Sequence, residues 1–159
     1  MRQITDSILI NSAAEPIWEW LADLPQHYAE WHPDHVSAEW ERGDLNQVGS
    51  TLRAVEYLGG KREVLRFEIT SVDPPHRFEY RIRGPISLLL PCGGFALVQE
   101  DPGLWFTASI SYRFGALVER LFSRRSAALR QHMKEEGENL KLIIESAGRS
   151  PQGQEAPRA

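Results

Sequence analysis

Residues 3–11, QITDSILIN, put β-branched and aliphatic side chains in a short run closed by small polar residues, and predict a strand. The period then changes. In NSAAEPIWEWLADL the apolar residues Ile17, Trp18 and Leu21 fall at helical spacing, with Ser12 near the cap. Pro25 opens a second short helical piece, PQHYAEW, which HPDH ends. From residue 36 to 113 the texture is strand and turn. VSAEWER precedes Gly43, STLRAVEYL precedes Gly59-Gly60, and REVLRFEITSV precedes Asp73-Pro74-Pro75. RFEYRIR follows, then GGFALVQE before Asp101-Pro102-Gly103, and finally LWFTASISYRF, the spacing of an antiparallel meander. Residues 115–146 read as one long amphipathic helix. Residues 148–159, GRSPQGQEAPRA, carry no apolar period and read as a disordered tail. The expectation is one α+β domain over 1–147, a curved antiparallel sheet wrapped around the long C-terminal helix, with two short helices after the first strand. Such a packing leaves a cavity between sheet and helix.

Three places break the expected separation of greasy and charged positions. In LRQHMKEEGENLKLII, residues 129–144, the stripe of Leu129, Met133, Leu140 and Ile143 also contains His132 and Glu136, stacked four residues apart. Glu135, Glu138 and Lys141 fall off the stripe, where a solvated charge belongs. An unpaired buried charge is expensive, so something must compensate His132 and Glu136. Arg125, on the same inner stripe, is one candidate partner; a bound ion or ligand is the other. A two-residue turn at Gly59-Gly60 would pair Leu58 with Lys61 and set Glu56 opposite Glu63. Both glutamates then share the apolar face with Ala54 and Leu65. Two adjacent carboxylates repel unless a cation or a shared proton lies between them, and a slip of one residue would turn one of them outward. Third, YAEWHPDHVSAEW, residues 28–40, gathers His32, Asp34 and His35 between Trp31 and Trp40. Imidazole and carboxylate are the ligand types of zinc and related divalent ions.

Composition removes several alternatives. The chain has 159 residues, 42% hydrophobic and 25% charged, with a net charge of −4, an ordinary globular balance without the basic cluster a nucleic acid would need. Cys92 is the single cysteine, which excludes an internal disulfide and a CxxC metal site. No run reaches the roughly 18 apolar residues of a membrane span. The N-terminal MRQITDSILIN lacks the apolar stretch of a secretory signal, so a cytoplasmic protein is expected. Oligomeric state stays open, a homodimer included.

ILINSAAEPIWEWLADL and ITSVDPPHRFEYRI, followed by a closing helix, resemble the START-like superfamily, the helix-grip group of polyketide cyclases and lipid-transfer proteins. That resemblance implies the fold, while the superfamily hosts carriers, cyclases, hydrolases and sensors alike. WHPDH, VEYLGG and HMKEEGENLK are more narrowly similar to the diacetylphloroglucinol and phloretin hydrolase group, whose members cleave the carbon–carbon bond between an acyl group and a phenolic ring. The likeness implies a divalent metal, zinc by preference, held by two histidines and two glutamates. Carried over by motif, these are His132 and Glu136, Glu56 in VEYLGG, and His35 in the WHPDH loop, with His32 and Glu63 as alternatives. It implies a metal-dependent hydrolase or lyase acting on a small aromatic or polyketide-like ketone. His32 or Glu63 would move a proton, Trp31, Phe67 and Trp105 would wall the substrate, and Arg125 would contact it. The rival expectations are a carrier or sensor of an apolar small molecule, and a metal-free cyclase using the same groups.

Overall fold

The computed structural model describes residues 1–113 and 116–149, without the side chains of 116–123 and 125. The chain runs β1 (Arg2–Ile10), α1 (Ala14–Ala22), α2 (Leu24–Trp31), β2 (His35–Arg42), β3 (Thr51–Leu58), β4 (Lys61–Asp73), β5 (Arg77–Arg83), β6 (Cys92–Glu100), β7 (Gly103–Tyr112) and α3 (Ala116–Ala147). A short 3-10 turn, Pro85–Leu88, breaks the β5–β6 connection at a place where the sequence pattern gave no signal. The seven strands form one antiparallel sheet in the order β1-β7-β6-β5-β4-β3-β2. The first two strands therefore lie at opposite edges, and α1 and α2 bridge them. This is the expected helix-grip architecture: α3 lies along β1 and against β7 and α2, closing the concave face.

Alternation in the strands decides which side chains face α3. In β5, RFEYRIR buries Phe78, Tyr80 and Ile82 and exposes the arginines and Glu79 between them. Phe106, Leu104, Leu97, Ile17, Leu21 and Leu140 are almost fully buried and tie sheet, α1 and α3 into one core. The convex face carries cross-strand ion pairs, Glu39 with Arg53, Glu41 with Arg66, and Glu68 with Arg81 and Arg83. Exposed pairs of this kind add little stability but keep the outer face in water. Gly137 faces β1, and a Cβ there would make only ordinary contact with Ile8 at 3.4 Å and Asp6 at 3.5 Å.

Two local features position the site. Gly59 and Gly60 both have positive φ, 60° and 81°, as a two-residue hairpin turn requires. The resulting register pairs Leu58 with Lys61 and Glu56 with Glu63, as the turn residues predict. In β2 the pairing shifts between His35 and Ser37. Continuing the register of Ser37 opposite Val55 would set His35 against Tyr57, which is exposed. The bulge sets His35 against Glu56 instead and turns its ring inward. Ser12 lies next to the cap, as expected: α1 is capped at Ala13 without a side-chain bond, and the Ser12 hydroxyl donates to the Ala13 carbonyl. Of the tail expected from residue 148, residues 150–159 lie outside the described residues.

Leu140 is fully buried, whereas Leu142 is 64% exposed on the opposite side of α3. Leu140→Ala is expected to lower unfolding free energy by about 2–5 kcal/mol. Leu142→Ala should change it by less than about 0.5 kcal/mol. Urea unfolding of both variants checks that α3 is gripped along the stated face.

Candidate functional site

Between the sheet and α3 lies a cavity of about 120 Å³. Its walls are mostly aliphatic and aromatic, among them Trp31, Trp40, Phe67, Tyr80 and Phe95. Ionisable groups gather at one end, where Glu56, His132 and Glu136 meet it. Outside that end a groove runs between the β3–β4 turn, the 3-10 turn and α3. Leu58, Leu129 and His132 line both spaces, so His132 stands between cavity and groove.

Four elements deliver the charged end. α3 presents His132 and Glu136 one turn apart, β3 presents Glu56, and the β2 bulge presents His35. The His35 Nε2 atom lies 3.3 Å from His132 Nε2, 3.0 Å from Glu136 Oε1 and 3.7 Å from Glu56 Oε2. His132 Nε2 is 3.4 Å from Glu136 Oε1. On its other side, His35 Nδ1 is 3.1 Å from the Tyr28 carbonyl, which can only accept, so Nδ1 carries the proton. Nε2 of the neutral ring then turns a lone pair toward two carboxylates and a second imidazole. That arrangement is stable only if Nε2 is protonated or a cation sits among the four atoms. A tetrahedral ion with bonds of about 2.0–2.1 Å separates its ligand atoms by about 3.3 Å. The separations among His35, His132 and Glu136, 3.0–3.4 Å, lie close to that value, and Glu56 stands 3.7 Å from His35.

Tyr28 holds two of these groups. Its carbonyl receives His35, and its hydroxyl donates a very short hydrogen bond to Glu56 Oε2. Its ring also stacks on His35, with centroids 4.0 Å apart and planes 4° from parallel. Burial, reinforced by the charge of Glu56, pushes the Tyr28 phenol well above its ordinary range. Burial also raises the Glu56 carboxyl, and the bond from Tyr28 and the nearby imidazoles reverse only part of that. For Glu136, burial acts upward too, but hydrogen bonds and charge from His132 and His35 win and hold it at about 2. Burial opposes the charged form of His132, yet Glu136 raises it overall. α2 is stapled to α3 beside the site: Trp31 Nε1 donates to the Glu136 carbonyl, and Asn139 Nδ2 donates to the Trp31 carbonyl, both at 2.9 Å.

His32, His35 and His132 together offer ring nitrogens within 4.8 Å of one another, the arrangement of a three-histidine site. His32 is nevertheless engaged on both sides. Its Nδ1 accepts the Asp34 N–H at 3.0 Å, which places the proton on Nε2, and Nε2 donates to Glu135 at 2.8 Å. The two-histidine, two-glutamate group is therefore the better donor set, with His32 packed beside it, 4.1 Å from the His132 ring.

The structure thus gathers His32, His35, Glu56, His132 and Glu136 at one point. Trp31 and Phe67 line the cavity. Glu63 shares the inner face with Glu56 but lies toward the rim, half-buried, in the outer groove and 3.0 Å from Lys61. Trp105 must be corrected: it is 39% exposed on the outer face, because Phe106 takes the inward phase of β7. Leu104, Trp105 and Phe106 are all apolar, so the sequence alone does not fix that phase. The side chain of Arg125 lies outside the described residues. Two groups were not anticipated. Tyr28 is a polar aromatic on the buried side of a helical piece, and Glu135, read as solvated, is half-exposed yet reaches His32.

Over residues 1–145 the chain matches the family described as "Polyketide cyclase / dehydrase and lipid transport", and it belongs to that family. No curated protein sequence matches it. Among solved structures it is similar to the Zhui aromatase/cyclase from Streptomyces sp. R1128, at 16% identity and a TM-score of 0.74, covering 94% of this chain and 96% of that one. The major latex-like protein 151 from Panax ginseng gives 13% identity and 0.73, covering 90% and 97%. Protein Ms6760 from Mycobacterium smegmatis gives 18% and 0.70, covering 91% and 92%. At these identities the likeness is one of fold. Among the described residues, no helix is long and apolar enough to cross a membrane.

The electrostatics fix how chelator-treated protein should respond to pH. Glu136, lowered from 4.5 to about 2, contributes stability that is complete above pH 4.5 and is lost as pH falls toward 2. His132, raised from 6.5, contributes stability that is complete below pH 6.5 and is lost as pH climbs through its raised value. Urea midpoints across pH should show Glu136→Gln flattening both limbs. The difference between parent and variant separates this pair from Glu56, whose upward shift has the opposite sign.

Proposed function

We propose that the chain is an enzyme that holds a small aromatic or polyketide-like ketone in the cavity and acts on it with His35, Glu56, His132 and Glu136. The observation that carries this reading is the convergence of His35, His132 and Glu136 donor atoms at 3.0–3.4 Å, with Glu56 3.7 Å from His35, at the polar end of an otherwise apolar cavity. The donor set and its spacing fit a divalent ion, with zinc the best match to mixed imidazole and carboxylate ligands. The Tyr28 carbonyl and hydroxyl would then orient His35 and Glu56 as second partners commonly orient metal ligands. Such an ion, when bound, supplies Lewis-acid polarisation of a carbonyl oxygen or an acidified water.

The chain's own groups define the rest. Trp31 and Phe67 exclude water from the substrate rings. Glu56, with its carboxyl raised by burial and its Oε2 held by Tyr28, is the carboxylate of the cluster better suited to take up a proton. His32, set between His132 and the half-exposed Glu135, offers a path for protons to solvent. Within this class, the likeness to the diacetylphloroglucinol and phloretin hydrolases favours hydrolysis of an acyl-phenol. Water would become part of the released carboxylic acid, and the ring carbon would take a proton.

A second reading has its own support in family membership and in the fold shared with an aromatase/cyclase. In it the same groups work without metal, the His132–Glu136 ion pair moving protons during ring closure or dehydration. The two readings separate in one experiment. Chelator-treated protein is titrated with Zn²⁺ and Co²⁺ and then assayed on acyl-phenols. The first reading expects about one equivalent bound, a visible tetrahedral Co²⁺ spectrum, and loss of both in the His132→Ala, Glu136→Ala double variant. Hydrolysis without metal uptake would overturn the role given to the metal, and neither metal nor hydrolysis would leave the cyclase and carrier readings.

A further inference from the structure

The two ring nitrogens of His132 face different surroundings. Nε2 points into the cluster, 3.4 Å from Glu136 Oε1 and 3.3 Å from His35 Nε2. Nδ1 lies 3.8 Å from Oδ2 of Asp34, a half-exposed carboxylate that lines the outer groove together with His132. His35 has the same layout, with Nε2 in the cluster and Nδ1 bonded to the Tyr28 carbonyl. A neutral imidazole that offers its Nε2 lone pair carries its proton on Nδ1, and that proton needs an acceptor. For His132, the Asp34 carboxylate stands in the right place.

The WHPDH loop holds Asp34 there. The His35 N–H closes a turn onto the His32 carbonyl at 3.0 Å, with Pro33 and Asp34 at its centre, and proline is favoured at the first central position of such a turn. The Asp34 carbonyl accepts the N–H of Tyr57 at 2.8 Å, one residue beyond Glu56. The Asp34 N–H donates to His32 Nδ1. That bond leaves His32 Nδ1 with no proton to give, so the carboxylate, 4.0 Å from it, remains available to His132. At 3.8 Å the Asp34–His132 contact is longer than a hydrogen bond. Closing it takes a shift of about 1 Å at a half-exposed side chain, and bonds of this kind are often long until a site is occupied.

We infer that Asp34 is a positioning residue for His132: its carboxylate accepts the Nδ1 proton and so holds Nε2 toward Glu136 and the ligand. The inference rests on the proposed function in making His132 a working group, and it applies with a metal or without one. With a divalent ion bound, Asp34 and His132 complete a carboxylate–histidine–metal series. Without one, the same contact fixes the imidazole between Asp34 and Glu136.

Asp34→Ala tests this, because it removes the acceptor and leaves the main-chain bonds of the turn available. The first readout needs no metal. In nitrogen-15 spectra of the chelator-treated full chain, the His132 ring, assigned by its absence from His132→Ala, should show an Nδ1–H sheltered from exchange with solvent. Asp34→Ala should lose that signal and Asp34→Glu should restore it. The second readout is Co²⁺ affinity, measured by competition with a chromophoric chelator. It should fall by about ten- to a hundredfold in Asp34→Ala and recover in Asp34→Glu. Glu63→Gln removes a charge from the same groove, where that carboxylate pairs with Lys61, and should change the affinity by less than about threefold. An Nδ1–H signal that is missing in the parent, or that survives in Asp34→Ala, overturns the inference. So does an equal loss of Co²⁺ affinity in Asp34→Ala and Glu63→Gln, which would make Asp34 only a source of negative charge. If the parent takes up no Co²⁺ while the Nδ1–H signal depends on Asp34, the metal reading fails and the positioning role stands.

Discussion

A carboxylate enclosed by aromatic and aliphatic walls has to be met by positive charge or by donors, and the inner end of this molecule is built around meeting that demand at Glu136. Imidazoles from β2 and α3 reach it, and without them its burial would favour the neutral acid. Other features follow from the need to hold those partners. The β2 bulge rotates His35 inward, the tight β3–β4 turn places Glu56 across from it, and two side-chain-to-backbone bonds fasten α2 to α3 beside them. The grip of sheet on helix is therefore more than a way to bury Leu140 and Met133. It is what brings four segments distant in sequence within hydrogen-bonding range.

The family scaffold supplies the cavity, and the residues that line it supply whatever is particular to this chain. Proteins of the same fold include an aromatase/cyclase and a plant latex-like protein at under 20% identity, so shared architecture leaves the chemistry undetermined. What distinguishes this interior is its polarity gradient. Ionisable groups crowd one end, and the rest of the lining is mostly aliphatic and aromatic. A ligand with one polar and one apolar end has its orientation in the cavity set before any reaction begins.

Much of this was legible in the chain, for reasons that can be traced. The helical period of α3 is long enough to identify His132 and Glu136 as misplaced in an apolar stripe, and Gly59-Gly60 fixes the register that pairs Glu56 with Glu63. His35 was nameable but not distinguishable from His32, because the deciding bulge has no signature in a period-two pattern. Trp105 was misread where three successive apolar residues leave strand phase undefined. Tyr28 was missed because an eight-residue helix gives too few turns to define its buried side.

Tyr28 gives α2 an influence out of proportion to its length. One residue contributes a main-chain acceptor to an imidazole and a side-chain donor to a carboxylate. Those two groups come from neighbouring strands and are paired across them. Their geometries are consequently not separate variables. A movement of that single helical turn therefore acts on the tautomer of His35 and the orientation of Glu56 together.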